Sequence, residues 1–371
     1  LVLFAVFSIG SLAVHQCPHL AAEANEMKND EVFVRAAFDK FQKDNAKVYA
    51  SSGMEETRYQ LFRANYLRAL ELNERLNAAA GTTGRKAHGV TPFMDLSFDE
   101  MRQRMGYVRA PASVRRRYVD SAPVTAAAAA AATVRARASP REFDWSTTPG
   151  VTTPVRDQGQ CGACWAFSAI TAVEGAVGVQ SRNNTDEAWL SPQHLLDCDR
   201  ADQACNGGDL ISAYDYLAGF GGAVSEYTYR YVGEQVRREC YATEEQIVAP
   251  VVGFTWATSP CEFADDCAHQ DEGRLAEAVA ARGPAAICVE ATADWFTYTG
   301  PEAYTAECDN EYYQLNHCIT LDGLVKNGRG ELEWLARNSW GQAWGIKGYI
   351  RLPYGENKCG LANEAMFPNL A

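Results

Sequence analysis

The stretch VRDQGQCGACWAFSAI, residues 155–170, sets two cysteines three positions apart and follows the second with an aromatic and a run of small residues. A thiol acts as a nucleophile when its pKa is lowered, a base stands beside it, and donors wait where negative oxygen will develop. Residues 163–178 are small and apolar enough for a buried helix. Cys164 opens that helix, where unpaired amides and the helix dipole favour thiolate. Gln158, six residues upstream, offers a side-chain amide donor alongside the Cys164 amide. His317 lies in a strand-like stretch and can pair with the thiol across a cleft. Asn338, in RNSW, can accept from the other imidazole nitrogen without adding a carboxylate to a thiolate–imidazolium pair, and Trp340 can shield that bond from water. Singly these signals are weak: a Cys-x-x-Cys pair more often serves redox or metal chemistry, a lone histidine is more often structural, and Asn-Ser is usually a turn. Jointly they describe a nucleophile with its base, its orienting group and its oxyanion donor.

QGQCGACWAFS, CNGG, NHC and NSWGQAWGIKGYIRL together resemble the papain family of cysteine peptidases over about Pro140–Leu361. Upstream, Arg58, Phe62, Asn65 and Asn73 fall on the spaced helix motif of cathepsin L-type propeptides, with Met54 and Ala69 where Glu and Ile are expected. Gly89, Thr91, Phe93 and Asp95 match the second propeptide motif, Thr91 standing where Asn is frequent. The resemblance implies a latent proenzyme of a cysteine endopeptidase, acting through a thioester on Cys164 with no cofactor and no metal. It implies an α+β, papain-like two-lobed fold, with a helical left lobe and a β-barrel-like right lobe, preceded by a helical inhibitory propeptide. Expected partners are protein and peptide substrates and the chain's own propeptide; the enzyme is expected to be a monomer.

The same resemblance pairs Cys161 with Cys205, Cys198 with Cys240 and Cys308 with Cys359, and Cys261 with Cys267 would close an inserted loop. It implies that Gly207 and Gly208 present backbone to an extended peptide, an approach that only a missing side chain permits. The pocket for the second residue before the cut would be lined by Leu210, Cys288, Leu315 and Cys318, with Glu364 at its floor and Trp340 nearby. An acid at that floor implies acceptance of arginine as well as bulky apolar side chains. Cys288 and Cys318 are either small apolar fillers or a disulfide across adjacent strands. His317 and Asn338 lie 153 and 174 residues after Cys164, an excess assigned to surface insertions at 258–270 and 323–333.

Three rival readings compete with this one. A zinc site lacks a second close Cys or His pair of tetrahedral spacing beside Cys161 and Cys164. A thiol–disulfide oxidoreductase would leave Gln158, His317 and Asn338 without a purpose and lacks a thioredoxin-like strand–helix order. A silent binding protein on the same fold would be expected to have lost the nucleophile or the base, and both are present.

The elements that must position these residues are legible in outline. Phe33, Val34, Ala37, Phe38 and Phe41 share a helical face, and Tyr59, Phe62, Tyr66, Ala69, Leu70 and Asn73 continue the rhythm through a longer helix. HGVTPFMDLSFDEM interrupts it as a turn or short extended piece before another helix. The alanine-rich stretch 111–138, with basic islands at Arg115–Arg117 and Arg135–Arg137, reads as an exposed connector open to activation cleavage. Beyond it, SPQHLL opens a helix, and AAICVEA, HCITLDGLV, LEWLARNSW and GYIRL read as strands. The division is 1–15 signal peptide, 16–110 propeptide, 111–138 connector and 139–371 peptidase domain.

Composition agrees with secretion. LVLFAVFSIGSLAV is a 14-residue apolar run, short for a membrane span and suited to a signal-peptide core. Twelve cysteines, eleven of them after Gln160, suit an oxidising compartment, either a lysosome-like vesicle or the exterior, and NNT makes Asn183 a glycosylation site. Residues 16–137 carry 19 basic and 14 acidic side chains, a net of +5; residues 138–371 carry 15 and 33, a net of −18. The two parts can attract each other, and nothing points to nucleic acid or, once the signal is gone, to a membrane.

Overall fold

The computed structural model describes residues 31–119, 140–181, 189–233, 239–259 and 270–371. The signal run, Asn183, the Cys261–Cys267 pair and most of the alanine-rich connector lie outside the described residues.

The N-terminal unit begins with helices α1 (Glu31–Asp44) and α2 (Ser52–Ala80). Ser51 caps α2 by accepting from the Met54 amide, and Gly81 ends it in the left-handed region at φ 61°. Val34, Phe38 and Phe41 of α1 interlock with Tyr59 and Phe62 of α2 over Met94, a small separate core. The motif residues bind α2 to the chain that follows it. Arg58 clamps both Glu100 oxygens at 2.7 and 2.8 Å, Asn65 donates to the Met94 and Leu96 carbonyls, and Asn73 serves His88 and Ala87. Asp95 takes Lys47 and Tyr49, each at 2.9 Å. Helix α3 (Phe98–Arg102) opens on a capping box of Ser97 and Glu100.

The sequence expectation for 111–138 is corrected at its start. Ala112–Val119 form helix α4, and its Arg115 is 3% exposed.

The body is mixed α and β, in two lobes. Helix α5 (Cys164–Ser181) is mostly apolar around its circumference and buried from Cys164 to Gly175, which fits a helix covered on all sides over its first three turns. It packs with α6 (Pro192–Cys198) and α7 (Leu210–Phe220) into one core. Helix α8 (Glu272–Arg282) covers the other lobe. Eight strands follow the order β2–β3–β8–β4–β5–β6–β7, all antiparallel, with β1 (Phe143–Asp144) beside β5. Their ranges are β2 Gly222–Val224, β3 Ile247–Trp256, β4 Ala285–Val289, β5 His317–Lys326, β6 Leu332–Arg337, β7 Tyr349–Pro353 and β8 Ala365–Leu370.

The barrel-like right lobe expected from the sequence is not a closed barrel. Among the described residues the strand path runs open from β2 to β7. The reason shows in the period-two alternation of β4: Ala286 and Cys288 enter the core of α5, whereas Ala285, Ile287 and Val289 enter the second core. The sheet is the wall between the lobes, and β3 carries it onward to β2 beside the helical lobe. Residues 323–333, expected as a surface insertion, are instead the paired ends of β5 and β6 and the turn that joins them.

Candidate active site

Cys164 is the first residue of α5, buried, and the one free cysteine among the described residues. His317 begins β5 on the facing lobe, also buried. Its Nε2 lies 2.9 Å from Asn338 Oδ1. Because a carbonyl oxygen only accepts, Nε2 carries hydrogen, and Nδ1 is left with its lone pair. Nδ1 has no hydrogen-bond partner among the described residues. Trp340 packs its ring 4.8 Å from the imidazole and is itself 1% exposed. Asn338 and Trp340 follow directly on β6, which pairs with β5, so one hairpin supplies the ring and its orienting amide.

Gln158 is completely buried and held at both ends of its amide. Its Oε1 accepts from the Ser339 hydroxyl, and its backbone amide donates 2.9 Å to the Ser339 carbonyl. The Nε2 group donates to the Cys161 carbonyl at 2.7 Å and to the Arg104 carbonyl at 2.8 Å. Sequence reasoning missed Ser339, although it sits inside the quoted NSW run. Its hydroxyl holds Gln158 while its backbone amide donates to Asn338 Oδ1, so the two side-chain amides form one unit.

The second partner of Gln158 shows how the N-terminal unit sits: its chain crosses Cys164. Gly106 donates its amide to Cys164 Sγ at 3.0 Å. Gly106 and Val108 exchange backbone bonds with Gly208, each 2.9 Å, and Tyr107 donates to the Asn316 carbonyl at 3.1 Å. A Cβ on Gly106 would stand 1.8 Å from the Gly162 carbonyl oxygen, so only glycine passes here. A Cβ on Gly208 would strike the Trp165 ring at 2.5 Å. Neither Gly106 nor Tyr107 carried a signal in the sequence, because what selects them is a surface more than fifty residues away.

This cover changes the electrostatics. Burial pushes the Cys164 thiol up to about 11, against the pull of the Cys318, Gly106, Trp165 and Cys164 amides. Burial also pushes the His317 imidazole down to about 4, although the bond to Asn338 favours its charge. Burial thus pushes both groups toward their uncharged forms in this state.

The expected pocket residues converge. Leu210, Leu315, Cys288 and Cys318 join one buried cluster with Cys164. Cys288 and Cys318 stand opposite each other in the β4–β5 register and are joined as a disulfide, which resolves the two readings left open by the sequence. Cys161–Cys205, Cys198–Cys240 and Cys308–Cys359 are bonded too. Glu364 is completely buried and meets Arg115 of α4. Tyr107 and Tyr312 fill the same cluster, and neither was foreseen.

Charges of opposite sign pair across this contact. Arg68 binds Asp294 at 2.8 and 2.9 Å, Arg85 binds Glu302 at 2.6 Å, and Arg104 binds Asp157 at 3.1 Å. Burial opposes ionisation of Glu302, yet the bonds from Arg85 and Arg329 hold its carboxyl below the ordinary range. His88 is 4% exposed, with Nδ1 2.8 Å from Thr297 Oγ1, and burial lowers its imidazole to about 4.

Comparison with known proteins follows this geometry. Residues 139–369 match the family described as papain family cysteine protease, and residues 38–101 match the cathepsin propeptide inhibitor domain (I29). Cathepsin L1 of Drosophila melanogaster is 32% identical over 334 residues, covering 88% of this chain and 83% of its own. The senescence-specific cysteine protease SAG12 of Arabidopsis thaliana is 30% identical over 347 residues, 92% of either chain. Among solved structures, the digestive procathepsin L2 proteinase from Tenebrio molitor larval midgut superposes with a TM-score of 0.73 at 27% identity, covering 91% of this chain and all of that one.

Gly106→Ala is expected to lift the crossing segment from the sulfur. Alkylation of Cys164 in the full-length chain should then quicken by at least about tenfold, since the 1.8 Å approach cannot be accommodated without displacing backbone. An unchanged alkylation rate would show that the segment does not guard the thiol.

Proposed function

The chain belongs to the papain family of cysteine proteases and is a cysteine endopeptidase made as a latent proenzyme; from that premise we propose that Cys164 is its nucleophile and His317 its acid and base. Asn338 orients the imidazole, and Gln158 with the Cys164 amide receives the oxyanion. The observation that carries this reading is a free thiol at a helix start beside the His317–Cys318 step, with the imidazole tied to Asn338. The Cys164 sulfur adds to the peptide carbonyl carbon, and the negative oxygen turns to Gln158. The C–N bond breaks as His317 hands its proton to the departing amine. Water then adds to the thioester, His317 takes the water's proton, and the C–S bond breaks to restore the thiolate. Each oxyanion donor contributes about 3 kcal/mol to such a step.

Latency has a direct electrostatic account in this reading. A dry, neutral thiol cannot attack, and opening the cleft lets water stabilise thiolate and imidazolium together. Activation cleavage is assigned to residues 120–138, after α4, so that the enzyme begins near Ser139. Four disulfides among the described residues support an oxidising, secretory destination, lysosome-like or extracellular. Its partners are protein and peptide substrates and its own N-terminal unit, and the enzyme works as a monomer.

The second pocket takes bulky apolar or arginine side chains. Its walls are Leu210, Leu315 and the Cys288–Cys318 disulfide, and its floor is the Glu364 carboxylate, which already accepts a guanidinium.

Titration with an active-site-directed epoxide after release of the N-terminal unit should give one equivalent bound per chain and abolish peptide hydrolysis. Cys164→Ser should bind none; hydrolysis surviving in that variant would overturn the reading. Glu364→Ala should lower kcat/KM for an arginine at the second position about a hundredfold while sparing phenylalanine, and equal losses for both would remove Glu364 from the pocket.

Acid should loosen the N-terminal unit. His88 faces Thr297, Asp294, Arg68, Tyr298 and Tyr304 as a neutral ring. Its pKa is about 4 when docked and 6.5 when free, so the released form binds an extra proton between those values. Docking therefore weakens as pH falls from about 6.5 toward 4, and Glu302, held below its usual 4.5, adds to the loss at the acid end. His88→Gln should shift the midpoint of acid opening, followed by Cys164 alkylation, to lower pH; an unmoved midpoint would exclude His88 from the trigger.

A further inference from the structure

We propose that Arg115 is an intramolecular ligand of the Glu364 pocket, so that α4 is a second lock on the proenzyme, separate from the segment that crosses Cys164. This rests on the reading of the chain as a latent endopeptidase. The Arg115 Nη1 group lies 3.1 and 3.3 Å from the two Glu364 oxygens, and the side chains are 3% and 0% exposed. Its guanidinium also sits 4.8 Å from the Tyr312 ring centre and 5.9 Å from that of Trp256. A carboxylate, an aromatic face and a dry enclosure are together what a guanidinium site requires.

The rest of α4 is built to keep that arginine in place. Tyr118 packs its ring 5.2 Å from Phe254 on β3, and its hydroxyl donates to Asp215 on α7. Just before the helix, the Ala110 amide donates to Asp209 at 2.7 Å, at the cap of α7. Arg109 covers Tyr312 from 3.8 Å. These contacts begin beyond Gly106 and touch neither Cys164 nor His317. They also lie beyond residue 101, where the match to the propeptide inhibitor domain ends.

The consequence is a coupling between latency and specificity. A substrate arginine and α4 compete for one carboxylate, and neither can bind while the other is seated. Removing the Arg115 charge leaves the enclosed Glu364 without its guanidinium, and removing the Glu364 charge takes the carboxylate from an enclosed Arg115; each change favours lifting α4 to let water in. A chain cut within 120–138 retains α4 in the pocket and stays closed until that pair separates.

The test uses the full-length chain and measures Cys164 alkylation, counted as the labelling lost in Cys164→Ala; this readout needs no catalysis. Arg115→Met should speed alkylation about tenfold or more, and Glu364→Gln should do the same. The double variant should be no faster than the faster single one, because both remove one interaction. Arg115→Lys, which keeps the charge and loses the planar fork, should fall between. Near-ultraviolet dichroism of each variant verifies that the body stays folded, and Gly106→Ala marks the rate of an open cleft. A rate within twofold of the parent in both Arg115 variants, or a double variant whose gain is the product of the two single gains, overturns the second lock. Failure of the endopeptidase reading would appear elsewhere, as absence of epoxide binding and peptide turnover in the released enzyme.

Discussion

Removal of water from one sulfur atom is the constraint on which this proenzyme depends. The Gly106 amide stands on the Cys164 sulfur where solvent would otherwise reach it, and the Arg104 carbonyl takes the Gln158 amide that we propose as an oxyanion donor. Both partners of the reactive pair respond to the same cover: the thiol rises and the imidazole falls, each toward its uncharged form. No distortion of the site is required. His317 stays bonded to Asn338, and Gln158 stays fixed by Ser339, so the machinery is assembled and merely discharged.

The sheet makes that arrangement possible. Because β4 and β5 send alternate side chains into two different cores, the first residues of β5 stand at the seam between the lobes. His317 opens β5 there, and Cys318 joins Cys288 across the register. The same seam receives the N-terminal unit, whose Phe93 packs 6.1 Å from Trp340 and whose Leu72, Leu76 and Met101 enter the second core. Inhibition thus borrows the hydrophobic burial of the enzyme's own core, and charge pairs across the contact set the register.

Charge sign organises the contact as a whole. Among the described residues, Arg68, Arg85, Arg104 and Arg115 of the N-terminal part form ion pairs across it, and the acids they meet there all belong to the body. These pairs differ in burial. The Arg104–Asp157 pair leaves its acid half exposed, whereas Arg115–Glu364 is enclosed on both sides. An exposed pair is readily replaced by water and salt, and an enclosed one is not.

How much was legible follows from the range of each interaction. Helices α1 and α2 announce themselves through local periodicity, α5 and strands β4 to β7 through runs of small or apolar residues, and Cys164, Gln158, His317 and Asn338 through residue type within short runs. Strands β3 and β8 and helix α8 were not read, because their patterns yield to pairing with distant segments. An open sheet, in place of a barrel, depends on which face each strand must bury, and that is settled only when two cores exist. The chemistry we propose for the site was legible in the amino-acid sequence alone, since a nucleophile, a base and an orienting amide need only be present. Its silence was decided by the tertiary structure: the pKa values of Cys164 and His317, the necessity of Gly106 and the burial of Arg115 arise from atoms brought near by folding, and a charge is stabilised by its surroundings in space, whatever its neighbours along the chain.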